Sequence, residues 1–374
     1  MYFRNSNHRQ KKILVFQWHI TDKCNLKCKH CYRSDNQIQD MPFSDVKRVI
    51  DELAEVSRKL DVIGLFGFTG GEPLLRKDIF EILDYLKEKF NKGYPLSALL
   101  MSNGTLITSE IAQKMNSYFP FLYSVQISID GSTPEVHDTI RGKGNFKKAL
   151  RGLNFLIHET KLATIISSTF HKQNLKDIPK IVEIGERLGV TGFHITRLVP
   201  IGRGREMSGS KLSVNEVKHI LTYLHKKEIE FEKQRQSGYK KPYIAQNRCL
   251  FHLTDPQDAI QRFQHGRRRL GNACAIGFTS VVILADGTIL PCARLPIPIG
   301  NILEEHFLDI WYKSDLLWEF RRRSENIKGK CRQCEFSSKY KEICNGGAAC
   351  MSYGYYGDYN KPDPHCWYKP GGKK

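Results

Sequence analysis

Eleven cysteines, distributed as three, four and four, constrain this chain more than any other feature. Cys24, Cys28 and Cys31 cluster near the start, and the other eight lie beyond residue 248. A [4Fe-4S] cluster takes four thiolates. The first group is therefore one ligand short and would leave one iron open to a substrate, whereas the last eight suffice for two further clusters. The segment carrying Cys331, Cys334, Cys344, Cys350 and Cys366 is rich in Gly, Tyr and Pro and lacks the apolar periodicity to hold itself together. Bound metal is expected to supply its missing folding energy.

Ahead of that segment, short β-rich runs alternate with helical patterns, as in a parallel βα barrel or doubly wound sheet. Six strands are expected, at Ile13 to Ile20, Val62 to Thr69, Leu96 to Ser102, Tyr123 to Ile129, Ala163 to Phe170 and Val190 to Val199. Six are too few to close an eight-stranded barrel, which predicts a sheet open on one side that admits a bulky substrate. The helix after the first strand, with Val46, Val49, Ile50, Leu53 and Leu60 near helical spacing, is expected to be capped by Ser44. Thr133-Pro134 marks another helix start and Gly189 a helix end. A long charged helix runs from Ser213 to about Gln236, and the domain junction is placed there. Farther on, Val281 to Leu284 and Thr288 to Pro291 flank Asp286-Gly287, the dipeptide of a type I′ hairpin turn. That turn would bring Cys292 opposite Val281 and back towards Cys274.

A chain of 374 residues suits one large domain plus a smaller one. The longest apolar runs, such as Ile13 to Trp18 and Val281 to Ala285, are far too short to span a membrane. Lys11 and Lys12 precede an apolar run, as in a signal peptide, but that run leads into the cysteine cluster without a small-residue cleavage site. The odd, tightly spaced cysteines point to reduced thiols and a cytoplasmic protein. The net charge of +19, which three clusters would lower to roughly +14, favours acidic partners. An acidic peptide, or a flavodoxin or ferredoxin as electron donor, fits that field. Arg267 to Arg269 and Arg321 to Arg323 lack interleaved aromatics or an RNA-binding motif, so they are read as solvated surface rather than a nucleic-acid site.

The run from Cys24 to Cys31 follows the first strand, at the mouth where barrel enzymes keep their active sites. A zinc site is the alternative, with His30 or His19 as its fourth ligand. The second strand leads into Gly70-Gly71-Glu72-Pro73, where two glycines permit close backbone approach to a ligand and Glu72 offers a carboxylate to an ammonium. Alone, that turn is also an ordinary strand-to-helix connection.

Together these residues resemble the radical S-adenosylmethionine superfamily, whose cluster loop reads CxxxCxxC and whose second strand ends in GGEP. Here His30 stands where the family has an aromatic before the last cysteine. The resemblance implies that Cys24, Cys28 and Cys31 hold the cluster that cleaves S-adenosylmethionine to a 5′-deoxyadenosyl radical, with His30, Gly70, Gly71, Glu72 and Pro73 around the cofactor. It extends to Asn103, Ser128, Asp130 and Arg141 as contacts to ribose and the methionine carboxylate, and to Leu198 near adenine. Asn-Gly and Asp-Gly are equally common turn pairs, and Arg141 could be surface.

From about 249 to 366 the chain resembles the SPASM extension of that superfamily, although Cys344 follows Cys334, and Cys350 follows Cys344, at wider spacing than the family pattern. The resemblance implies that Cys274, Cys292 and Cys350 ligate a nearer auxiliary cluster and Cys331, Cys334, Cys344 and Cys366 a farther one. Cys249 either completes the nearer cluster or is a buried thiol. A zinc ribbon is the alternative for the CxxC pair.

The expected fold is thus α/β: an N-terminal extension (1–12), a partial (β/α)6 TIM-like barrel (13–205), a helical bridge (206–248) and a small SPASM domain with a β-hairpin and two auxiliary clusters (249–374). SPASM enzymes mostly modify ribosomally made peptides, and a few act on tetrapyrroles. Ala293 stands where sulfatase-maturing relatives carry a catalytic aspartate, which removes that activity. An acidic precursor peptide, with recognition by the barrel or a separate leader-binding protein, is the expected substrate. Tetrapyrrole or haem biosynthesis is the alternative, and a non-enzymatic iron–sulfur electron carrier a more distant one.

Overall fold

Each of the six expected strands is present: β1 (Lys12–Thr21), β2 (Val62–Gly70), β3 (Leu96–Ser102), β4 (Leu122–Ser128), β5 (Ala163–Phe170) and β6 (Gly192–Arg197). They come from a computed structural model that describes residues 11–33, 38–207, 209, 211–245, 249–264 and 274–371. Most of the 1–12 extension, part of the 206–248 bridge and the basic run Arg267 to Arg269 lie outside the described residues. Successive strands pair in parallel, so all six C-terminal ends, where the site residues sit, face one way. Helices α1 (Phe43–Lys59), α2 (Ile79–Asn91), α3 (Ser109–Asn116), α4 (Pro134–Arg141), α5 (Asn145–Glu159) and α6 (Ile178–Leu188) make the crossovers.

The sheet does not end at β1 and β6. Strand β7 (Tyr243–Ile244) adds beside β6 in parallel, and β8 (Ser280–Ile283) pairs in parallel with the free side of β1. Strands β9 (Thr288–Leu290) and β10 (Gly300–Asn301) continue it antiparallel, for ten strands in the order β10-β9-β8-β1-β2-β3-β4-β5-β6-β7. The C-terminal hairpin therefore extends the barrel sheet. The reason lies in β1, whose Phe16, Trp18 and Ile20 are fully buried. A strand that deep must satisfy its backbone groups on both sides.

The hairpin turn also differs from expectation. Ile289 pairs with Ile283 and Leu290 with Val282, one step off the register of a two-residue loop. Gly287 takes φ +87° and its N–H reaches the Leu284 carbonyl, while the Leu284 N–H reaches Thr288. This is a three-residue loop with glycine at the bulge position, the other turn that Asp-Gly serves. At the start of α1, Pro42 rather than Ser44 occupies the cap, with Ser44 inside the first turn. Proline lacks only an N–H that the helix start leaves unused. Thr133, Ser213 and Gly189 take the helix-end positions expected of them, Ser213 through a capping box with Glu216.

The cysteine-rich segment has more internal support than its sequence suggests. Phe336, Tyr340, Ile343 and Ala349 are buried in the same apolar cluster as the barrel. Phe307 meets Phe16 edge-on at 5.4 Å, and Arg323, fully buried, donates to the carbonyls of Gly347 (2.9 Å) and Tyr359 (2.6 Å). Tyr355 and Tyr359 pack, on His365 and Phe320 respectively. At the end of β6, Arg197 forms a bidentate pair with Asp363, both contacts 2.7 Å, and Asp363 also accepts from the N–H groups of Ala348 and His365. Burial alone would raise the carboxyl's pKa, but Arg197 holds it below the ordinary value. Arg197→Met leaves Asp363 charged, buried and unpaired, a loss of about 3–5 kcal/mol. Thermal denaturation should show a lowered Tm together with loss of iron, and an unchanged Tm would contradict the pair's structural role. No helix among the described residues is long and apolar enough to cross a membrane.

Candidate active site

The loop after β1 carries Cys24, Cys28 and Cys31 and is held from every side. The Lys29 N–H donates to Ile140 (2.9 Å), the Gly204 N–H to Cys31 (3.2 Å), and Arg203 Nε to the carbonyl of Cys28 (3.1 Å). Arg76, buried, donates to the carbonyls of Ile20 (2.7 Å), before the loop, and Met41 (2.9 Å), after it. The three thiols lie within electrostatic reach of one another. Burial, then the charges of Cys28 and Cys31, push Cys24 up to about 11. Thiols so placed resist ionisation until a metal core takes up their charge.

Gly70 and Gly71 make their close approach to the base of this loop. A Cβ on Gly70 would stand 2.1 Å from the Thr21 carbonyl oxygen, and one on Gly71 2.0 Å from that of Lys23. The N–H groups of Gly71 and Glu72 donate to those same two carbonyls at 2.9 and 2.8 Å. The end of β2 is thereby docked, backbone to backbone, on the base of the cysteine loop. Pro73 opens the short 3-10 turn that follows. Glu72 is fully buried and accepts from Ser102 Oγ (2.8 Å), the Asn103 N–H (2.8 Å) and the Leu74 N–H (3.3 Å). Burial, only partly offset by these donors, raises its carboxyl to about 7. A carboxylate has about four lone-pair sites, so capacity for an ammonium remains.

Asn103 serves the loop as well. Its Nδ2 donates to Asn25 Oδ1 (2.8 Å), and Asn25 Nδ2 donates to Thr105 Oγ1 (2.9 Å). Sequence reasoning misses Asn25 and Thr105; the available signal is that Asn25 directly follows Cys24. Asp130, fully buried at the end of β4, accepts from Arg141 Nε (2.5 Å) and the Thr169 N–H (2.7 Å), with His30 Nε2 2.6 Å away. Burial would raise its pKa, yet Arg141 and His30 hold it well below the ordinary carboxylate value. Arg141 reaches on to Cys28 Sγ at 3.8 Å, so it is a buried ion-pair partner and not surface. Ser128 is half-buried one strand-end away, and Leu198 lines a cavity with Pro200, Gly204, Arg205, Lys211 and Tyr355.

The eight later cysteines gather as two sets. Cys249, Cys274, Cys292 and Cys350 interact with one another, the last two by a hydrogen bond that lowers Cys292 and raises Cys350. Cys331, Cys334, Cys344 and Cys366 form the other set, in which burial pushes Cys331 and Cys344 up to about 12. Among the described residues none of these groups closes on a single-ion site. Four thiols within reach of one another fit an iron–sulfur cluster, which neutralises charge that the bare group could not carry.

Known proteins agree with that chemistry. Residues 18–184 match the radical SAM superfamily and residues 274–335 the SPASM iron-sulfur cluster-binding domain. An AdoMet-dependent heme synthase of Methanosarcina barkeri is 31% identical over 96% of this chain and 97% of its own length. The mycofactocin maturase MftC of Mycolicibacterium smegmatis is 29% identical over 94% and 82%. The solved structure of anSMEcpe with AdoMet and the Cp18Cys peptide shares the fold at a TM-score of 0.72 and 17% identity, covering 95% of this chain and 94% of that one. S-adenosylmethionine and iron–sulfur clusters are thus the cofactors, and this chain belongs to the radical SAM superfamily, as an enzyme with a C-terminal SPASM domain.

Proposed function

We propose that this enzyme acts on a tetrapyrrole that carries propionate side chains. The observation that carries the reading is likeness over whole length: the heme synthase relative aligns across nearly all of both chains, cysteine-rich end included. Cys24, Cys28 and Cys31 would hold the cluster that takes the methionine moiety, with Glu72, Asn103, Ser128, Asp130, Arg141 and Leu198 in the cofactor's surroundings. Cys249, Cys274, Cys292 and Cys350 would hold the nearer auxiliary cluster, and Cys331, Cys334, Cys344 and Cys366 the farther, for three in all. When bound, the first group supplies a carbon radical able to remove hydrogen from an unactivated carbon.

This chain's own residues set the frame for that chemistry. Asp130 and Arg141 place a compensated ion pair beside Cys28, and Glu72 ties the ends of β2 and β3 to the loop. His19 is kept neutral, with its pKa lowered to about 3 by burial and then by Arg33, and its Nε2 lies 3.3 Å from Tyr32 Oη. Tyr32 in turn packs against Val282, Leu290 and Ala293 of the hairpin. Haem has vinyl groups where a coproporphyrin has propionates. Such a conversion removes one hydrogen atom from each propionate's ring-side carbon, after which carbon dioxide leaves and one electron passes to an external one-electron acceptor.

Anaerobically reconstituted enzyme, given S-adenosylmethionine, a reductant and iron coproporphyrin, is expected to yield porphyrins that have lost carboxyl groups, detected by mass spectrometry, with matching 5′-deoxyadenosine. An unaltered porphyrin would refute the reading. The peptide reading keeps separate support in the maturase relative, and an acidic precursor peptide modified under the same conditions would establish it instead. A flavodoxin or ferredoxin is the proposed reductant in either case, matched to the basic surface.

A further inference from the structure

Tyr32 directly follows the last cysteine of the first loop and reaches the second thiol set. Its ring packs against Val282, Leu290 and Ala293 of the hairpin and against Val199, Ile201, Ala348 and Met351, beside Cys249 and Cys350. Its hydroxyl lies within electrostatic reach of Cys31, Cys292 and Arg294. Among the described residues, four arginines around this wedge are engaged. Arg33 pairs with Asp22, Arg141 with Asp130 and Arg197 with Asp363, and Arg203 donates to the Cys28 carbonyl. Arg294 is half-buried two residues after Cys292, and its backbone N–H points at the Cys292 sulfur. Among the described residues its guanidinium makes no hydrogen bond and no ion pair.

A half-buried guanidinium that no protein acceptor occupies is open to a planar carboxylate, which it takes through two parallel N–H···O bonds. We infer that Arg294 is the anchor for a carboxylate of the substrate, holding one propionate between the first cysteine loop and the nearer thiol set. This rests on the tetrapyrrole reading. Ala293, the buried neighbour, is too small to compete for the space, and among the described residues no acidic side chain of the hairpin pairs with Arg294. The competing role for Arg294 is as counter-charge to Cys292 and Cys350, whose ionisation it favours.

The test is binding of iron coproporphyrin to the fully reconstituted enzyme, followed by absorbance, against the same porphyrin with its acids methylated. Wild type should bind the acid form more tightly than the ester. Arg294→Met should weaken the acid form by about 10- to 100-fold, the worth of a charged hydrogen-bonded contact, and leave ester binding as in wild type. Arg294→Lys, which keeps charge but loses the fork, should fall between. Iron content and the reduced auxiliary signal by EPR report that each variant is intact, and if the Met variant fails to assemble, the Lys variant carries the comparison. Equal acid binding by wild type and variants overturns the assignment, as does a shifted auxiliary potential with unchanged binding, which would make Arg294 a counter-charge only. If wild type binds neither porphyrin, the tetrapyrrole reading itself fails.

Discussion

Cys28→Ala, reconstituted with iron and sulfide and reduced with dithionite, is expected to produce no 5′-deoxyadenosine from S-adenosylmethionine. Two thiols cannot retain a cubane that three hold with one corner free. The replacement also strips Arg141 of its sulfur contact at 3.8 Å and leaves the Asp130 ion pair facing an empty corner. Iron should fall by about four per chain, while the eight later cysteines keep theirs. Continued cleavage by the variant would sink the assignment of the loop. Zinc in place of iron in the wild-type protein would sink it more directly.

Gly71→Ala is expected to cost nearly as much without touching a ligand. Its new methyl would lie 2.0 Å from the Lys23 carbonyl oxygen and 2.4 Å from its carbon, both backbone atoms that no rotamer change can move aside. The end of β2 and the cysteine loop must separate by roughly an ångström, and displacement on that scale costs about a hundredfold in rate. The two hydrogen bonds that lock the contact would be lost with it. Measured as 5′-deoxyadenosine formed per first-loop cluster, activity should drop by that factor, with the later sets still loaded. Wild-type rates in Gly71→Ala would show that the contact is not what positions the loop.

Much of the molecule is legible in its amino-acid order. The strands of the barrel are legible because buried parallel strands are written as apolar runs of β-branched and aromatic residues, and β3 and β5 begin and end where expected. The three-cysteine loop is legible because ligand count is a property of spacing. Less local features are not. The contact of Gly70 and Gly71 with the chain's own Thr21 and Lys23 escapes the sequence, because a close approach does not name what approaches. The hairpin register depends on whether Asp286-Gly287 forms a two- or a three-residue loop, a choice its dipeptide leaves open. Asn25 is marked only by its place after Cys24, and Thr105 and Arg294 carry no periodic signal.

The order of residues alone decided the fold class and the family, since each depends on patterns that repeat along the chain or lie within a few positions of one another. Tertiary structure decided how β8 joins β1, that Cys249 lies by Cys274 and Cys350, and that Arg197 meets Asp363. Those outcomes depend on groups brought together across more than a hundred residues, as Arg197 is with Asp363. Burial sets their energies, because a buried charge must find its partner wherever the fold places one.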